Sequence, residues 1–180
     1  MGMSAWKVRS LMDAGYGALL PAYRGYAGNP GKPSEEGLYK DADAFLQWLH
    51  EDRNIPDSRV VLYGESLGTG IAIEMAATSY RNVMAVILES PYTSFVDMAR
   101  RQYFFIPFLN YLVRDRYRSL DKIRNVKAPL LVISGKLDMV VPFRMGEKIY
   151  QSANEPKEMV AIPMAGHNNL YMHGIGARVL

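Results

Sequence analysis

Apolar runs of strand length alternate along this chain with segments of helical periodicity. The runs are Tyr16 to Leu20, Val60 to Tyr63, Val83 to Leu88, Leu130 to Ile133 and Met159 to Ile162, none interrupted by a charge. Between the first two, Leu38, Ala42, Phe45, Leu46 and Leu49 recur at the spacing of one helix face. Ser34 supplies a cap for that helix, and Glu35 and Glu36 complement its N-terminal dipole. A shorter helix carrying Val8, Leu11 and Met12 on one face is capped by Ser4 and ended by Gly15. A last helix spans about Phe143 to Ala153. This alternation predicts an α/β fold, a mostly parallel sheet flanked by helices.

The connections follow from turn chemistry. Pro21 to Ser34 holds three glycines and three prolines and reads as a loop, and Asn54 to Ser58 reads as a turn. One connection is longer than a crossover requires. Ser90 to Leu120 holds six aromatic residues between Tyr103 and Tyr117, and five arginines (Arg100, Arg101, Arg114, Arg116, Arg118) against Asp97 and Asp115. The expected organisation is one domain over residues 1–180, with a lid-like insertion at about 91–120 whose aromatics line an acyl pocket or pack as ordinary core.

Composition narrows the chemistry. At 180 residues, 49% hydrophobic and 22% charged, the chain can bury a sizeable core. The net charge of +3 is too small to imply nucleic acid, and the excess is concentrated in the 90–120 segment. With no cysteine, disulfides, zinc-thiolate sites and a thiol nucleophile are excluded. No cofactor and no metal are expected. The longest apolar stretch, Tyr103 to Val113, contains Pro107 and Asn110 and is too short to span a bilayer, and the first residues do not form a signal peptide. A cytoplasmic protein is expected.

The chemistry-bearing stretch is Arg59 to Tyr80. Val60 to Tyr63 leads into Gly64-Glu65-Ser66-Leu67-Gly68, and the small and apolar residues beyond suit a packed helix. A serine in a Gly-x-Ser-x-Gly pentapeptide between strand and helix sits on a strained turn, with the flanking glycines removing Cβ atoms from the bend. The alternative is a plain turn with a capping serine. A serine nucleophile needs a base, and the base needs an acceptor that fixes its tautomer. Of three histidines, His50 ends an amphipathic helix and His173 lies in a tail with no strand edge beneath it. His167 follows the last strand in a flexible turn and is the expected base. Asp138, shortly beyond Leu130 to Ile133, is the expected acid, with Glu89 at the end of Val83 to Leu88 as its rival. The order Ser66, Asp138, His167 is the serine, acid, histidine order of α/β-hydrolases.

From Gly15 to about Asn168 the chain resembles the α/β-hydrolase superfamily, in its serine aminopeptidase-like or lysophospholipase-like branch. The resemblance rests on Tyr23-Arg24-Gly25-Tyr26, on Gly31 to Leu38, on the serine pentapeptide, on Ile133-Ser134-Gly135 with Asp138 and Pro142, and on Gly166-His167-Asn168. It implies Ser66 as nucleophile, Asp138 and His167 as its partners, and the Leu67 backbone N–H as one oxyanion donor. It also implies that this chain is N-terminally truncated relative to the family. The opening strands and the His-Gly-Asn type loop with the second oxyanion donor would be absent. So would the strand between those matching Tyr16 to Leu20 and Val60 to Tyr63, leaving a gap or a re-paired sheet, and the tail after His167 is short for a closing helix.

The reading is a serine hydrolase (esterase, thioesterase, lipase-like or aminopeptidase-like) cleaving an ester, thioester or related acyl bond through an acyl-serine intermediate. The alternative is a catalytically inactive fragment acting as a binding or scaffold protein. A nucleotide-binding domain is suggested by Gly25, Gly28 and Gly31, but their spacing is not Gly-x-Gly-x-x-Gly and no acid ends the next strand. The expected partner is a small-molecule or acyl substrate, with no nucleic acid, and with membrane association only through an upstream N-terminal segment.

Overall fold

The computed structural model describes residues 5–78 and 82–179. Among these residues four strands form one sheet in the order β1-β2-β3-β4: β1 (Val61–Glu65), β2 (Ala85–Glu89), β3 (Leu130–Gly135) and β4 (Lys157–Ile162). Every neighbouring pair is parallel, so all four carboxyl ends share one edge.

Side chains alternate across the sheet, as the period of two requires. Val86, Leu88, Leu130 and Val132 face one layer, where they pack with Ala72, Ile73 and Ala76 of α3 (Leu67–Ala77) and Ile149 of α7 (Phe143–Ser152). Ile87, Ile133 and Ile162 face the other, covered by Leu170, Tyr171 and Ile175 of the C-terminal segment. The tail after His167 is thus a short 3-10 turn, Leu170–His173, and α8 (Gly176–Val179), and it closes the second face. Helix α2 (Glu35–Glu51) buries Leu38, Ala42 and Leu46 against Ile71 and Met75. Its cap is the expected one, with the Gly37 N–H donating to Ser34 Oγ at 3.2 Å. Because α3 lies between the sheet and α2 it is apolar on nearly every side, and most of its residues are buried.

Four expectations are corrected. Tyr16 to Leu20 forms no strand; Tyr16, Leu19 and Leu20 are exposed. A strand exists only through a neighbour's ladder, and no strand of the described residues stands between this segment and β1, which is itself an edge. The sheet therefore neither gaps nor re-pairs. Of α1 (Ala5–Asp13), among the residues from Lys7 on, Lys7 is buried, Val8 and Leu11 are half-buried and Met12 is exposed. Carboxylates opposite Lys7 draw it in and override the apolar pattern. The segment from Ser90 to Leu120 comprises α4 (Phe95–Gln102), α5 (Leu109–Leu112) and α6 (Ser119–Lys122). Of its six aromatics from Tyr103 to Tyr117, only Tyr117 is buried, joining Tyr92 and Phe95 in the core; the other five are exposed. The fourth is Gly68, where a Cβ would meet no atom within 4 Å. The cap assigned to Ser4, and the last two residues of the Arg59 to Tyr80 stretch, lie outside the described residues. No helix among those described is long and apolar enough to cross a membrane.

Candidate active site

The turn from β1 to α3 is sharp enough that Ser66 takes φ 51° and ψ −115°, a region rarely adopted by any residue but glycine. Its backbone N–H continues the strand ladder, donating to the Glu89 carbonyl at 2.9 Å, while its carbonyl accepts from Thr69 Oγ1 at 2.7 Å. Both bonds fix the turn. The Ser66 side chain makes no capping bond to α3, which removes the capping-serine reading.

The two flanking glycines do different jobs. A Cβ on Gly64 would meet the Gly68 carbonyl oxygen at 2.6 Å and Thr69 Cα at 2.7 Å, so helix and strand approach this closely only because Gly64 has no side chain. A Cβ on Gly68 would meet no atom within 4 Å. The expected clash is real at the first glycine and absent at the second.

Ser66 Oγ stands 3.1 Å from His167 Nε2, and His167 Nδ1 stands 2.8 Å from Asp138 Oδ2. The structure thus brings the three expected residues into one hydrogen-bonded chain. Asp138 is held from several sides: Oδ1 accepts from the Val140 and Val141 N–H groups at 2.9 and 2.8 Å, and Oδ2 accepts from Ser90 Oγ at 2.9 Å. Burial alone would raise the Asp138 carboxyl. The hydrogen bonds from His167, Val141 and Ser90, with the imidazole charge, outweigh it and hold the group below the usual carboxylate range. His167 is shifted the other way. Its bond to Asp138 raises it most, burial opposes, and the charges of Asp138, Glu65 and Glu89 add to the rise.

Glu89 does not reach His167. Its carboxylate accepts from Lys7 Nζ at 2.9 Å and from the Tyr63 hydroxyl at 2.5 Å. Lys7 also bonds Glu65 at 3.0 Å and lies 4.5 Å from the centre of the Tyr171 ring. Burial raises the Glu89 carboxyl beyond what the Tyr63 and Lys7 bonds lower it. His50 and His173 are exposed, at the end of α2 and of the 3-10 turn. The Leu67 N–H sits at the first position of α3, where no intrahelical carbonyl is available to it, beside Ser66.

Ser90 was not among the sequence candidates. It is buried, adopts φ 53°, and spans from the end of β2 to Asp138. The signal was a serine directly after a strand at the same sheet edge, in Glu89-Ser90-Pro91. No group of three or more His, Cys, Asp or Glu suited to a metal ion occurs among the described residues.

The family model described as serine aminopeptidase, S33, matches residues 2–116, so Asp138 and His167 lie beyond the matched span. An uncharacterized protein of Mycobacterium tuberculosis is 41% identical over 160 residues, covering 89% of this chain and 56% of that one. The alpha/beta hydrolase domain-containing protein aho-3 of Caenorhabditis elegans is 34% identical over 151 residues, 84% of this chain and 43% of its own. The chain spans about half the length of the curated relatives it matches. Among solved structures, the Pyrococcus furiosus esterase Pf2001 superposes with a TM-score of 0.76 at 21% identity, over 96% of this chain and 72% of that one.

Proposed function

Since the chain belongs to the serine aminopeptidase S33 family of the α/β-hydrolase superfamily, we propose that it is a serine hydrolase, cleaving an ester, thioester or related acyl bond through an acyl-serine intermediate. The observation that carries this reading is the unbroken chain of hydrogen bonds from Ser66 Oγ through His167 to Asp138.

In this reaction His167 Nε2 takes the Ser66 proton as Oγ forms a bond to the acyl carbon. The carbonyl oxygen becomes an oxyanion facing the Leu67 N–H at the start of α3, where the helix dipole favours negative charge. The bond to the leaving group then breaks, and the imidazolium returns its proton to that group. Water, deprotonated by the same nitrogen, attacks the acyl carbon and releases the acid and free Ser66. Asp138 holds Nδ1 protonated throughout and stabilises the imidazolium, while Ser90 and the Val140 and Val141 N–H groups keep Asp138 ionised and oriented.

An apolar acyl group is favoured by the side chains around the acid and base. Leu137, Met139 and Val140 flank Asp138, and Met164 precedes the His167 turn; all four are exposed. Residues 91–120 act as the lid-like insertion of this reading. A fluorophosphonate probe tests it: the folded chain is labelled and Ser66→Ala is not. A folded chain that resists the probe, or labelling that survives Ser66→Ala, overturns the assignment and favours a binding or scaffold role.

A further inference from the structure

The connection between β2 and β3 leaves the body of the protein through a closed neck. At the neck the Phe95 N–H donates to the Arg116 carbonyl at 2.8 Å, and the Leu120 N–H to the Thr93 carbonyl at 3.0 Å. Helix α2 clamps the same point, the Arg116 N–H reaching Glu35 Oε2 at 2.7 Å and the Glu35 N–H reaching Asp115 Oδ1 at 2.8 Å. Four bonds thus pin the two ends of the segment, and what lies between them projects.

The projecting part is apolar and uncovered. Phe104 is 84% exposed, Phe108 and Tyr111 76%, and Phe105 and Leu112 67%. Among the described residues their rings meet rings of the same segment, Phe105 on Tyr103, Phe104 on Phe105 and Phe108 on Tyr111. So many large apolar side chains side by side in water mark an interaction surface and not a solvated loop.

What surrounds the aromatics selects the partner. Arg100, Arg101 and Arg114 flank them, exposed and without an ion pair among the described residues. Beside the neck, Arg100, Arg116 and Arg118 line a cleft of about 290 Å³. Asp97 and Asp121 also line the cleft, Asp97 accepting from Thr93 Oγ1 at 2.6 Å and Asp121 facing Arg118 at 3.7 Å, so the three arginines stand against two carboxylates. Exposed aromatic side chains flanked by three arginines match the boundary layer of a bilayer, where rings sit among headgroups and arginines meet phosphates.

We propose that residues 103–112, with their flanking arginines, dock the protein onto an anionic lipid surface. This route does not need an upstream segment, and it is independent of the chemistry at Ser66.

Flotation of the full chain with vesicles tests it, using phosphatidylcholine alone and phosphatidylcholine with about one-third phosphatidylserine. At about 0.1 M salt the chain floats with the anionic vesicles and much less with the neutral ones, and raising the salt releases it. The double variant Phe104→Ser, Phe108→Ser weakens partitioning by about tenfold or more. Arg101→Gln weakens it about fivefold, and Ser66→Ala leaves it unchanged. All four positions being exposed or outside the core, circular dichroism of each variant matches the wild type. A folded wild type that stays with the soluble fraction overturns the proposal, as does equal flotation of the double variant. So does a wild-type dimer that Phe104→Ser, Phe108→Ser converts to monomer, which would make a second copy the occupant.

Discussion

The two glycines of the serine pentapeptide give a sharp test of the elbow, because they look equivalent in sequence and are not equivalent in space. In Gly64→Ala the new methyl would lie 2.6 Å from the Gly68 carbonyl oxygen, about 0.8 Å inside the 3.4 Å at which ordinary contact begins. Thr69 Cα and the Gly68 carbonyl carbon stand at 2.7 and 2.8 Å. All three are main-chain atoms of the first turn of α3, so no side chain can rotate away and the helix must move off β1. Overpacking that side chains can absorb costs about 1–3 kcal/mol, and a main-chain clash belongs at the upper end. At roughly 2–4 °C per kcal/mol for a chain of this size, Gly64→Ala melts about 6–12 °C lower. The same shift moves Ser66 relative to His167, and a displacement approaching 1 Å costs on the order of a hundredfold in reaction rate. Gly68→Ala introduces a methyl with nothing within 4 Å, at the second residue of a helix. There alanine gains a few tenths to about 1 kcal/mol over glycine. Urea unfolding followed by circular dichroism, with fluorophosphonate labelling rates on the same samples, reads both effects. Equal stability of the two variants, or greater damage from Gly68→Ala, would refute the account of the elbow.

The choice of acid is tested by comparing Asp138→Asn with Glu89→Gln. The first should cut turnover of an activated ester by about 10⁴-fold, since the amide stabilises the wrong imidazole tautomer. The second should cost about 3 kcal/mol of stability by weakening a buried pair with Lys7, yet keep turnover within about tenfold; a reversed order would make Glu89 the acid. The pH dependence follows from the direction of the His167 shift. Its bond to Asp138, against burial and with the nearby carboxylate charges, raises the imidazole, so the acid limb of kcat/KM should be centred above 6.5 and move down in Asp138→Asn. A limb centred below 6.5 in the wild type would contradict the hydrogen-bonded pair. The same shifts fix the sign of the stability change. A raised His167 contributes stability that is complete below its unfolded value and lost as pH rises through its folded value. A depressed Asp138 contributes above its unfolded value, and this is lost as pH falls through the folded one.

What could be read from the sequence divides along a physical line. Helix α2 was legible because its cap, first-turn acids and apolar stripe lie within one segment. Strands β1 to β4 were legible as apolar runs because each has partners within the chain, and Ser66, Asp138 and His167 because each follows such a run at a carboxyl edge. Tyr16 to Leu20 has the same local pattern and fails, since pairing depends on a neighbour that its own residues do not reveal. Lys7 defeats the amphipathic reading of α1 for a related reason: the carboxylates that draw it in lie 58 and 82 residues away. Ser90 was readable as a strand-end serine, but its bond to Asp138 spans 48 residues and leaves no trace in spacing. The exposed rings of Phe104, Phe108 and Tyr111 read from sequence as pocket lining or as core, because an aromatic run does not say which way it faces.

The site's geometry depends on sheet register more than on any loop. Glu65 pairs with Glu89, Glu89 with Ile133, and Gly135 with Ile162, which sets the height of each strand end against the next. The ladder then runs on past the strands into the site. The Ser66 N–H donates to the Glu89 carbonyl, the Ser90 N–H to the Ile133 carbonyl at 2.8 Å, the Lys136 N–H to the Ile162 carbonyl at 3.0 Å, and the Leu137 N–H to the Ala165 carbonyl at 2.9 Å. Gly135 lets the last two segments meet, since a Cβ there would lie 2.3 Å from the Ala165 carbonyl oxygen. A slip of one residue between any two strands would displace a loop by about 3.3 Å, more than the whole margin of a hydrogen bond, and separate Ser66, His167 and Asp138. None of these bonds involves Tyr16 to Leu20. The alignment of the proton relay is therefore carried by β1 to β4 and the turns that follow them, and the segment that finds no partner strand takes no part in these bonds.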